Sequence, residues 1–284
     1  MIFVTGTKRS GTSMWMQIMR AAGLPTLGTA FPKDWGEVIR DANPGGFFES
    51  RLRNGVYHAT NPDPRTGEYI HPTEAGSLVV KVFVPGLVRS DLAFIEAVVG
   101  TMREWREYSS SLTRLYAMER ENRPPVEGIP TLTYVPPELE WWAENYSLVA
   151  DHLLRRYPLH LVTYDEVLSD PERVIRETFG WLERGDADAA LAAVSTEFRT
   201  QTDVAWTRHE SITDEHAATF DEFYRRIRDR EPLDESFIDQ LNDTNDALRP
   251  AISTAMKAQS EQRNLRRRAL EAHRGKHAAA DDAQ

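Results

Sequence analysis

Ile2–Ser13 reads IFVTGTKRSGTS, a short apolar run followed by a loop that two glycines bound. The apolar run predicts a buried parallel strand that ends at Gly6. A helix is predicted over about Thr12–Ala22, because Gly23 and Pro25 follow it and stop it. A strand, a glycine loop and a helix in this order begin a phosphate-binding βα unit, in which backbone N–H groups face an anion.

The glycines also have the spacing of a known phosphate loop. Gly6 and Gly11 are placed like the glycines of G-x-x-x-x-G-K-[ST], and Ser13 occupies the hydroxyl position. Thr12 stands where that motif has its lysine, so the positive charge comes from inside the loop, from Arg9 and Lys8. The alternative interpretation is an ordinary strand-to-helix turn with solvated basic residues.

Predicted strands and helices alternate up to about residue 182. Further strands are predicted at Leu78–Val84, Ile95–Thr101 and Leu159–Tyr164. Helices are predicted at Trp105–Glu121, Pro137–Arg156 and Pro171–Leu182, the last with Asp170 as its N-cap. Leu24–Gly76 is rich in glycine, proline, asparagine and aromatic residues, which predicts loops and short helices.

Strands separated by helices predict a parallel sheet with right-handed crossovers. We therefore expect an α/β protein with a three-layer, P-loop-like fold, a central parallel sheet flanked by helices, and a helical C-terminal extension. We expect a single domain over residues 1–284, with a nucleotide-binding core over 1–185 and a mostly helical extension over 186–284. An arginine-rich stretch in the extension, Arg263 and Arg266–Arg268, predicts a solvated helix face, with a partner helix or an anionic surface as the alternative.

Composition excludes several classes of function. The 284 residues include 44 acidic and 34 basic side chains, for a net charge of -10, which argues against a general nucleic-acid coat. Cysteine is absent, which excludes disulfides and a cysteine nucleophile, and the histidines show no metal-ligand spacing, so we expect no metal site. No apolar run is long enough to span a bilayer, and the first strand follows Met1 directly. We therefore expect a cytoplasmic protein; its oligomeric state is left open, a homo-oligomer included.

Four segments resemble the sulfotransferases that use 3′-phosphoadenosine 5′-phosphosulfate (PAPS). Arg9–Ser13, directly after the first strand, resembles their 5′-phosphosulfate loop, although many members have proline at the Lys8 position. The three other segments are Asn43–Glu49, the pair Arg103 and Ser111, and Tyr164–Glu172. The resemblance covers about Ile2–Leu182 and implies a cleft for PAPS, no metal, and a small-molecule acceptor.

The resemblance implies a set of donor-binding residues: Lys8, Arg9, Ser10, Gly11, Thr12, Ser13, Arg103, Ser111 and Tyr164. Arg103 and Ser111 match the residues that hold the 3′-phosphate in that family, and an arginine provides a planar fork suited to a phosphate. Ser109 and Ser110 are neighbouring alternatives. An exposed arginine at a strand end, with a solvated serine, is the interpretation without a ligand.

Lys81 interrupts an otherwise apolar predicted strand. Since a lone buried ammonium is costly, we expect it to emerge at the end of the sheet or to meet an anion. The resemblance assigns Lys81, with Arg9, to the transferring sulfuryl group, but Phe83 stands where the family has its catalytic histidine. We expect Glu49 to replace that base, or equally to pair with a nearby arginine such as Arg51.

Weaker candidates for the base are His58, His71 and Asp34. We expect Trp15 to be a core residue, and Trp141 and Trp142 to lie in the core or to line an acceptor pocket. Aromatic residues of the Leu24–Gly76 segment are also expected to line such a pocket. The sequence thus predicts a PAPS-dependent sulfotransferase acting on a hydroxyl or an amine. A P-loop kinase and a non-catalytic nucleotide-binding relative are the alternatives.

Overall fold

The computed structural model describes residues 1–31, 45–121, 126–192, 194 and 206–281. Its centre is a five-stranded sheet in the order β2-β3-β1-β4-β5, with every neighbouring pair parallel. The strands are β1 Ile2–Gly6, β2 Thr26–Leu27, β3 Val79–Lys81, β4 Ala97–Met102 and β5 Leu159–Thr163. The predicted α/β class with a central parallel sheet is confirmed.

Helices connect and flank these strands. They are α1 Thr12–Ala21, α2 Pro72–Ala75, α3 Val84–Arg89, α4 Trp105–Glu121, α5 Pro137–Arg155, α6 Tyr164–Ser169, α7 Pro171–Leu182, α8 Ala187–Ala192, α9 Asp214–Arg228 and α10 Glu235–Asp281. Short 3₁₀ helices lie at Arg51–Asn54 and Leu92–Phe94. Among the described helices, none is both long and apolar enough to cross a bilayer.

Side chains of the central strand β1 alternate between two apolar layers. Ile2 and Val4 pack on one face of the sheet with Trp15 of α1. Phe3 points to the other face and packs with Leu87 of α3 and with Leu148 of α5. Because both faces of β1 are covered, its five residues are all buried, as expected for the middle of a parallel sheet. Helices therefore form the outer two of three layers.

The C-terminal helices α9 and α10 pack on α4 and α5, and α9 also contacts strand β5. The aromatic rings of Trp141 and Trp142 on α5 lie against Phe220 and Phe223 of α9, and the Trp142 and Phe220 rings stack with centroids 4.8 Å apart. Trp15, Trp141 and Trp142 are fully buried, so all three lie in the core, as predicted for Trp15. Contacts between large aromatic rings bury much apolar surface, and these contacts hold α9 against α5.

Most predicted element bounds agree with the structure, and the clearest exception is β3. The predicted strand Leu78–Val84 is too long: β3 ends at Lys81, and α3 begins at Val84 with Pro85 in its first turn. The prediction treated Pro85 as a strand breaker, whereas proline also fits the first turn of a helix, where no N–H is needed. Strand β4 is also shifted: it was predicted at Ile95–Thr101 and spans Ala97–Met102.

The arginine-rich stretch lies on the distal part of α10. Arg263, Arg267 and Arg268 are exposed, as predicted for a solvated helix face. Arg266 is half-buried and donates from Nη1 to the carbonyl oxygen of Pro130 at 2.7 Å. This bond links the helix to the segment before α5.

Candidate functional site

The loop between β1 and α1 requires glycine at two positions. Gly6 has φ +151°, and a Cβ there would lie 2.4 Å from the carbonyl oxygen of Thr101 on β4. Gly11 has φ +100°, and a Cβ there would lie 2.8 Å from the ring of Tyr164. Both separations are well below van der Waals contact. Only glycine, which has no Cβ, lets the backbone at these two positions lie so close to Thr101 and Tyr164.

Hydrogen bonds hold the loop against β4. Ser10 Oγ donates to the carbonyl oxygen of Thr7 at 2.7 Å, and Thr101 Oγ1 donates to the carbonyl oxygen of Ser10 at 2.7 Å. Gly11 is the N-cap of α1 and has no side chain to accept from the first-turn N–H groups of Thr12 and Ser13. Those N–H groups and the helix dipole favour an anion in front of the loop.

Three predicted donor-binding residues meet beside the loop. Arg9 Nε donates to Ser111 Oγ on α4 at 3.2 Å, and Arg103 Nη1 donates to the carbonyl oxygen of Arg9 at 3.1 Å. The backbone of Arg103 is fixed in turn, because Trp141 Nε1 donates to its carbonyl oxygen at 2.8 Å. Of the neighbouring serines, Ser111 Oγ accepts from Arg9, whereas Ser109 Oγ donates to the carbonyl oxygen of Trp105.

The charges at this point are predominantly positive. Burial, together with the neighbouring charges of Arg103 and Arg114, lowers the pKa of Arg9 to about 10, so its guanidinium is still charged at neutral pH. Glu107 accepts from Arg103 through Oε2, at 3.4 Å from both Nε and Nη2. Guanidinium groups held this close repel each other, and an anion between them would relieve that repulsion.

Tyr164 closes the same side of the loop. It is the first residue of α6, directly after β5, and its ring lies against Gly11. The guanidinium of Arg103 lies over this ring, 4.6 Å from its centroid. A planar cation on an aromatic face is a favourable arrangement, and it orients the fork of Arg103.

Lys8, the other basic residue of the loop, makes a different contact. Its ammonium pairs with Glu140 Oε1 on α5 at 3.1 Å, and Tyr116 donates to Glu140 Oε2 at 3.1 Å. Lys8 is thus engaged by a helix carboxylate, while Arg9 reaches Ser111. These contacts favour Lys8 as a tether for the loop; its predicted part in donor binding stays a prediction.

A second group of polar residues surrounds the end of β3. Lys81, its last residue, is buried and donates to the carbonyl oxygen of Phe47 at 3.0 Å and to Ser13 Oγ at 3.2 Å. Its ammonium also lies 3.5 Å from Glu49 Oε1. Burial lowers the pKa of Lys81, the charge of Glu49 opposes this shift, and the charge of Arg9 adds to it. Lys81 therefore lies at the end of the sheet and also meets an anion, as expected.

Glu49 pairs with an arginine, but not with the one that was expected. Arg53 Nη1 lies 2.6 Å from Glu49 Oε2, whereas Arg51 pairs with Asp63. The expectation that Glu49 pairs with a nearby arginine is therefore confirmed, with Arg53 rather than the example Arg51 as its partner. The 3₁₀ turn that starts at Arg51 explains the difference, because it brings residue 53 rather than residue 51 back over position 49.

Phe83 lies beside Lys81, with its ring centroid 5.7 Å from the ammonium nitrogen. The weaker candidates for the base are placed elsewhere. His71 is exposed and caps α2 by accepting from the N–H of Thr73, and His58 is exposed with its ring against Tyr57. Asp34 lies outside the described residues, as do Asn43 and Pro44 of the predicted Asn43–Glu49 motif.

Sequence reasoning missed Arg53 and Glu140. Arg53 carried a weak signal, since it follows Glu49 by four residues, the spacing at which side chains in a helical turn approach each other. Glu140 carried none, because its partner Lys8 lies 132 positions away in the sequence. No group of three or more histidine, aspartate or glutamate side chains is arranged to hold a metal ion within the described ranges.

Two solved structures that this chain resembles are sulfotransferases. One is the sulfotransferase domain from the curacin biosynthetic pathway, with 13% identity, a TM-score of 0.39, and coverage of 87% of this chain and 96% of that chain. Another is the sulfotransferase STF1 from Mycobacterium tuberculosis, with 14% identity, a TM-score of 0.40, and coverage of 80% of this chain and 75% of that chain. No protein-family model and no curated protein matches this sequence.

Proposed function

We propose that this chain is a sulfotransferase that moves the sulfuryl group of PAPS to a hydroxyl or an amine of a small organic acceptor. The observation that carries the proposal is the meeting of Arg9, Arg103 and Ser111 beside a glycine loop at the start of a helix. These residues come from two separate parts of the chain, the loop after β1 and the segment that runs from the end of β4 into α4. Their convergence supports a ligand with two anionic ends rather than a solvated turn.

The residues fit such a nucleotide in shape as well as in charge. Because Gly6 and Gly11 have no Cβ, the loop packs closely against Thr101 and Tyr164. A loop held in this way presents backbone N–H groups to a phosphate. Arg103 and Ser111 are suited to the 3′-phosphate, because a guanidinium fork and a hydroxyl both donate to its oxygens. Tyr164 offers an aromatic face beside the same residues for the adenosine.

In the proposed reaction an acceptor oxygen or nitrogen bonds to the sulfur of PAPS while the bond from that sulfur to the phosphate oxygen breaks in line. The electron pair of the broken bond stays on the phosphate oxygen, and adenosine 3′,5′-bisphosphate leaves. Arg9 and the backbone N–H groups of residues 10–13 stabilise the charge that grows there. Lys81 and Ser13, which touch each other, stabilise the sulfuryl oxygens.

The acceptor must lose a proton, and Glu49 is the residue proposed to take it. Its carboxylate is buried and lies 3.5 Å from the Lys81 ammonium, so it adjoins the group assigned to the sulfuryl oxygens. A carboxylate in this position accepts the proton as the new bond to sulfur forms. Phe83, in the place where the resembling family has histidine, lacks any group that could do so.

Calorimetric titration with adenosine 3′,5′-bisphosphate tests the proposal, with AMP, which lacks the 3′-phosphate, as the matched ligand. We expect Arg103→Ala to reduce affinity for the bisphosphate by about 10- to 100-fold and affinity for AMP much less. Arg9→Ala should weaken both ligands. Arg20→Ala is the matched control, since Arg20 is exposed in the last turn of α1, and it should bind like the wild type.

Other outcomes would favour the alternatives. Preference for ATP with magnesium over the bisphosphate would replace the proposal with a kinase. Binding of the bisphosphate without transfer from PAPS to a broad panel of acceptors, and with Glu49→Ala indistinguishable from the wild type, would indicate a non-catalytic nucleotide-binding protein. Circular dichroism of each variant checks that the fold is retained.

A further inference from the structure

One face of helix α4 meets the glycine loop and the end of β4. Glu107, Ser111 and Arg114 are spaced by four and then three residues, so their side chains share this face. Glu107 accepts from Arg103 after β4, and one turn later Ser111 accepts from Arg9 of the loop. Because the face meets the site at two successive turns, its next turn brings Arg114 to the same region.

The side chain of Arg114 is directed back toward Ser111. Side chains of a helix lean toward its N-terminus, so a long one covers the turn before its own Cα. For Arg114 that turn contains Ser110 and Ser111. The charge of Arg114 also acts on the loop, because it contributes to lowering the pKa of Arg9, after burial and the charge of Arg103. Arg114 therefore lies within electrostatic reach of the guanidinium that donates to Ser111.

A phosphate at this place needs more positive charge than Arg103 supplies. In the function proposed above, on which this inference rests, the 3′-phosphate of PAPS binds at Arg103 and Ser111, and Arg9 serves its 5′ end. A phosphate monoester carries a charge of about −1.5 to −2 at pH 7. The Ser111 hydroxyl is neutral, and Glu107 Oε2, 3.4 Å from both Nε and Nη2 of Arg103, offsets part of that arginine's charge. A second cation beside Ser111 would balance the dianion.

We infer that Arg114 binds the 3′-phosphate of the donor beside Ser111, on the side away from Arg103, and helps to discriminate nucleotides that carry this phosphate from those that lack it. A guanidinium donates two parallel hydrogen bonds to phosphate oxygens, a geometry that a lysine does not reproduce. Because Arg114 is half-buried, water screens its charge in part, and its contribution is smaller than that of the buried Arg103.

Calorimetric titration with adenosine 3′,5′-bisphosphate and with AMP tests this inference. We expect Arg114→Ala to reduce affinity for the bisphosphate by about 3- to 10-fold and affinity for AMP by less than about twofold. Arg114→Gln, which removes the charge but keeps a polar side chain, should lose nearly as much, and Arg114→Lys should recover part of the loss. AMP binding close to that of the wild type shows that each variant is folded.

Arg120→Ala is the control, because Arg120 lies on the same helix with its guanidinium over the Tyr134 ring, 5.8 Å from the centroid. It should bind both nucleotides like the wild type.

Three results would overturn the inference. Equal losses for the two nucleotides in Arg114→Ala would mean that Arg114 acts on the whole loop, and unchanged affinity for the bisphosphate would remove Arg114 from the site. The same loss in Arg120→Ala would reflect only the total charge of α4. The wild type separates the two proposals: if it does not prefer the bisphosphate over AMP, both fail, whereas a preference that Arg114→Ala retains defeats only this inference.

Discussion

The two sides of the site handle charge in opposite ways. On the donor side, which we define as the Lys8–Ser13 loop with Arg103, Ser111 and Tyr164, two guanidiniums lie close together and one lowers the pKa of the other. On the acceptor side, defined as Glu49, Arg53, Lys81 and Phe83, each cation already touches the Glu49 carboxylate. In the proposed function the donor side gains an anion beside Arg9, which donates to the neutral hydroxyl of Ser111, while both cations of the acceptor side already share the Glu49 carboxylate.

The largest expected effect is on the donor side. Arg9→Ala should lower the rate of sulfuryl transfer by about 100- to 1000-fold, by analogy with loss of one donor to a developing oxyanion. The physical reason is that Arg9 combines charge with a fixed position, set by its hydrogen bond to Ser111. Single-turnover transfer from labelled PAPS measures this loss without interference from product release.

Lys8→Ala is the neighbouring control for this prediction. Lys8 is bound to Glu140 on α5, so its removal should slow transfer by less than about tenfold. Equal losses in Arg9→Ala and Lys8→Ala would mean that the loop responds to total positive charge. Arg9 would then act through its charge alone and not through its fixed position.

The next effect tests the acceptor side. Lys81→Met should lower kcat by about 10- to 100-fold while the affinity for adenosine 3′,5′-bisphosphate changes little, since the product has no sulfuryl group for Lys81 to contact. Lys257→Met, at an exposed position of α10, is the control and should match the wild type. If affinity for the bisphosphate fell as much as kcat, Lys81 would belong to the donor side.

The sequence predicted which donor-side residues lie together better than it predicted the contacts of the acceptor side, for a physical reason. Donor-side residues lie directly at strand ends and helix starts: Gly11 is the N-cap of α1, Arg103 follows β4, and Tyr164 follows β5. The carboxyl ends of parallel strands meet at one edge of a sheet, so short local patterns determine which residues converge.

The acceptor side depends on irregular backbone, where no period relates sequence to position. Glu49 was identified, but its partner was not, because a 3₁₀ turn of four residues decides between Arg51 and Arg53. Strand β3 was predicted too long for a related reason, since Pro85 suits both the end of a strand and the start of a helix. The tether from Lys8 to Glu140 is a tertiary contact that no local pattern encodes.

A smaller effect concerns the rigidity of the donor side. Gly11→Ala should reduce the free energy of unfolding by about 1–3 kcal/mol, because φ is +100° and a Cβ would approach the Tyr164 ring to 2.8 Å. Gly23→Ala is the matched control at the other end of α1, with φ +80° and no atom within 4 Å of a Cβ. Urea unfolding compares the two variants.

Both alanine variants force a residue with a Cβ into a positive φ. The difference between their free energies of unfolding therefore measures the contact of the new Cβ at position 11 with the Tyr164 ring. Adding Tyr164→Ala to Gly11→Ala should recover about 1 kcal/mol, and adding it to Gly23→Ala should recover none. If Gly11→Ala were no more destabilised than Gly23→Ala, the loop would have room to adjust. The donor side would then be as adaptable as the acceptor side.

The smallest effect concerns the support of the loop on α5. Burial raises the pKa of Glu144 from its usual 4.5 to about 8, with the charge of Glu140 adding to the shift and that of Lys8 opposing it. Between those two pH values the folded chain holds a proton that the unfolded chain has lost, so the stability that Glu144 contributes falls as pH rises across this window. Glu144→Gln removes this dependence.

We expect Glu144→Gln to raise Tm at pH 7 by roughly 2–4 °C, corresponding to about 1 kcal/mol, and to flatten the fall of Tm between about pH 5 and 8. Glu261→Gln, at an exposed position of α10, should leave that slope unchanged. If Tm fell with pH equally in Glu144→Gln and in the wild type, the proton that the folded chain retains would be on a group other than Glu144. At a pH where Glu144 ionises, its carboxylate is buried beside that of Glu140 and the two repel each other, and the neutral amide of Glu144→Gln avoids both the burial of a charge and this repulsion.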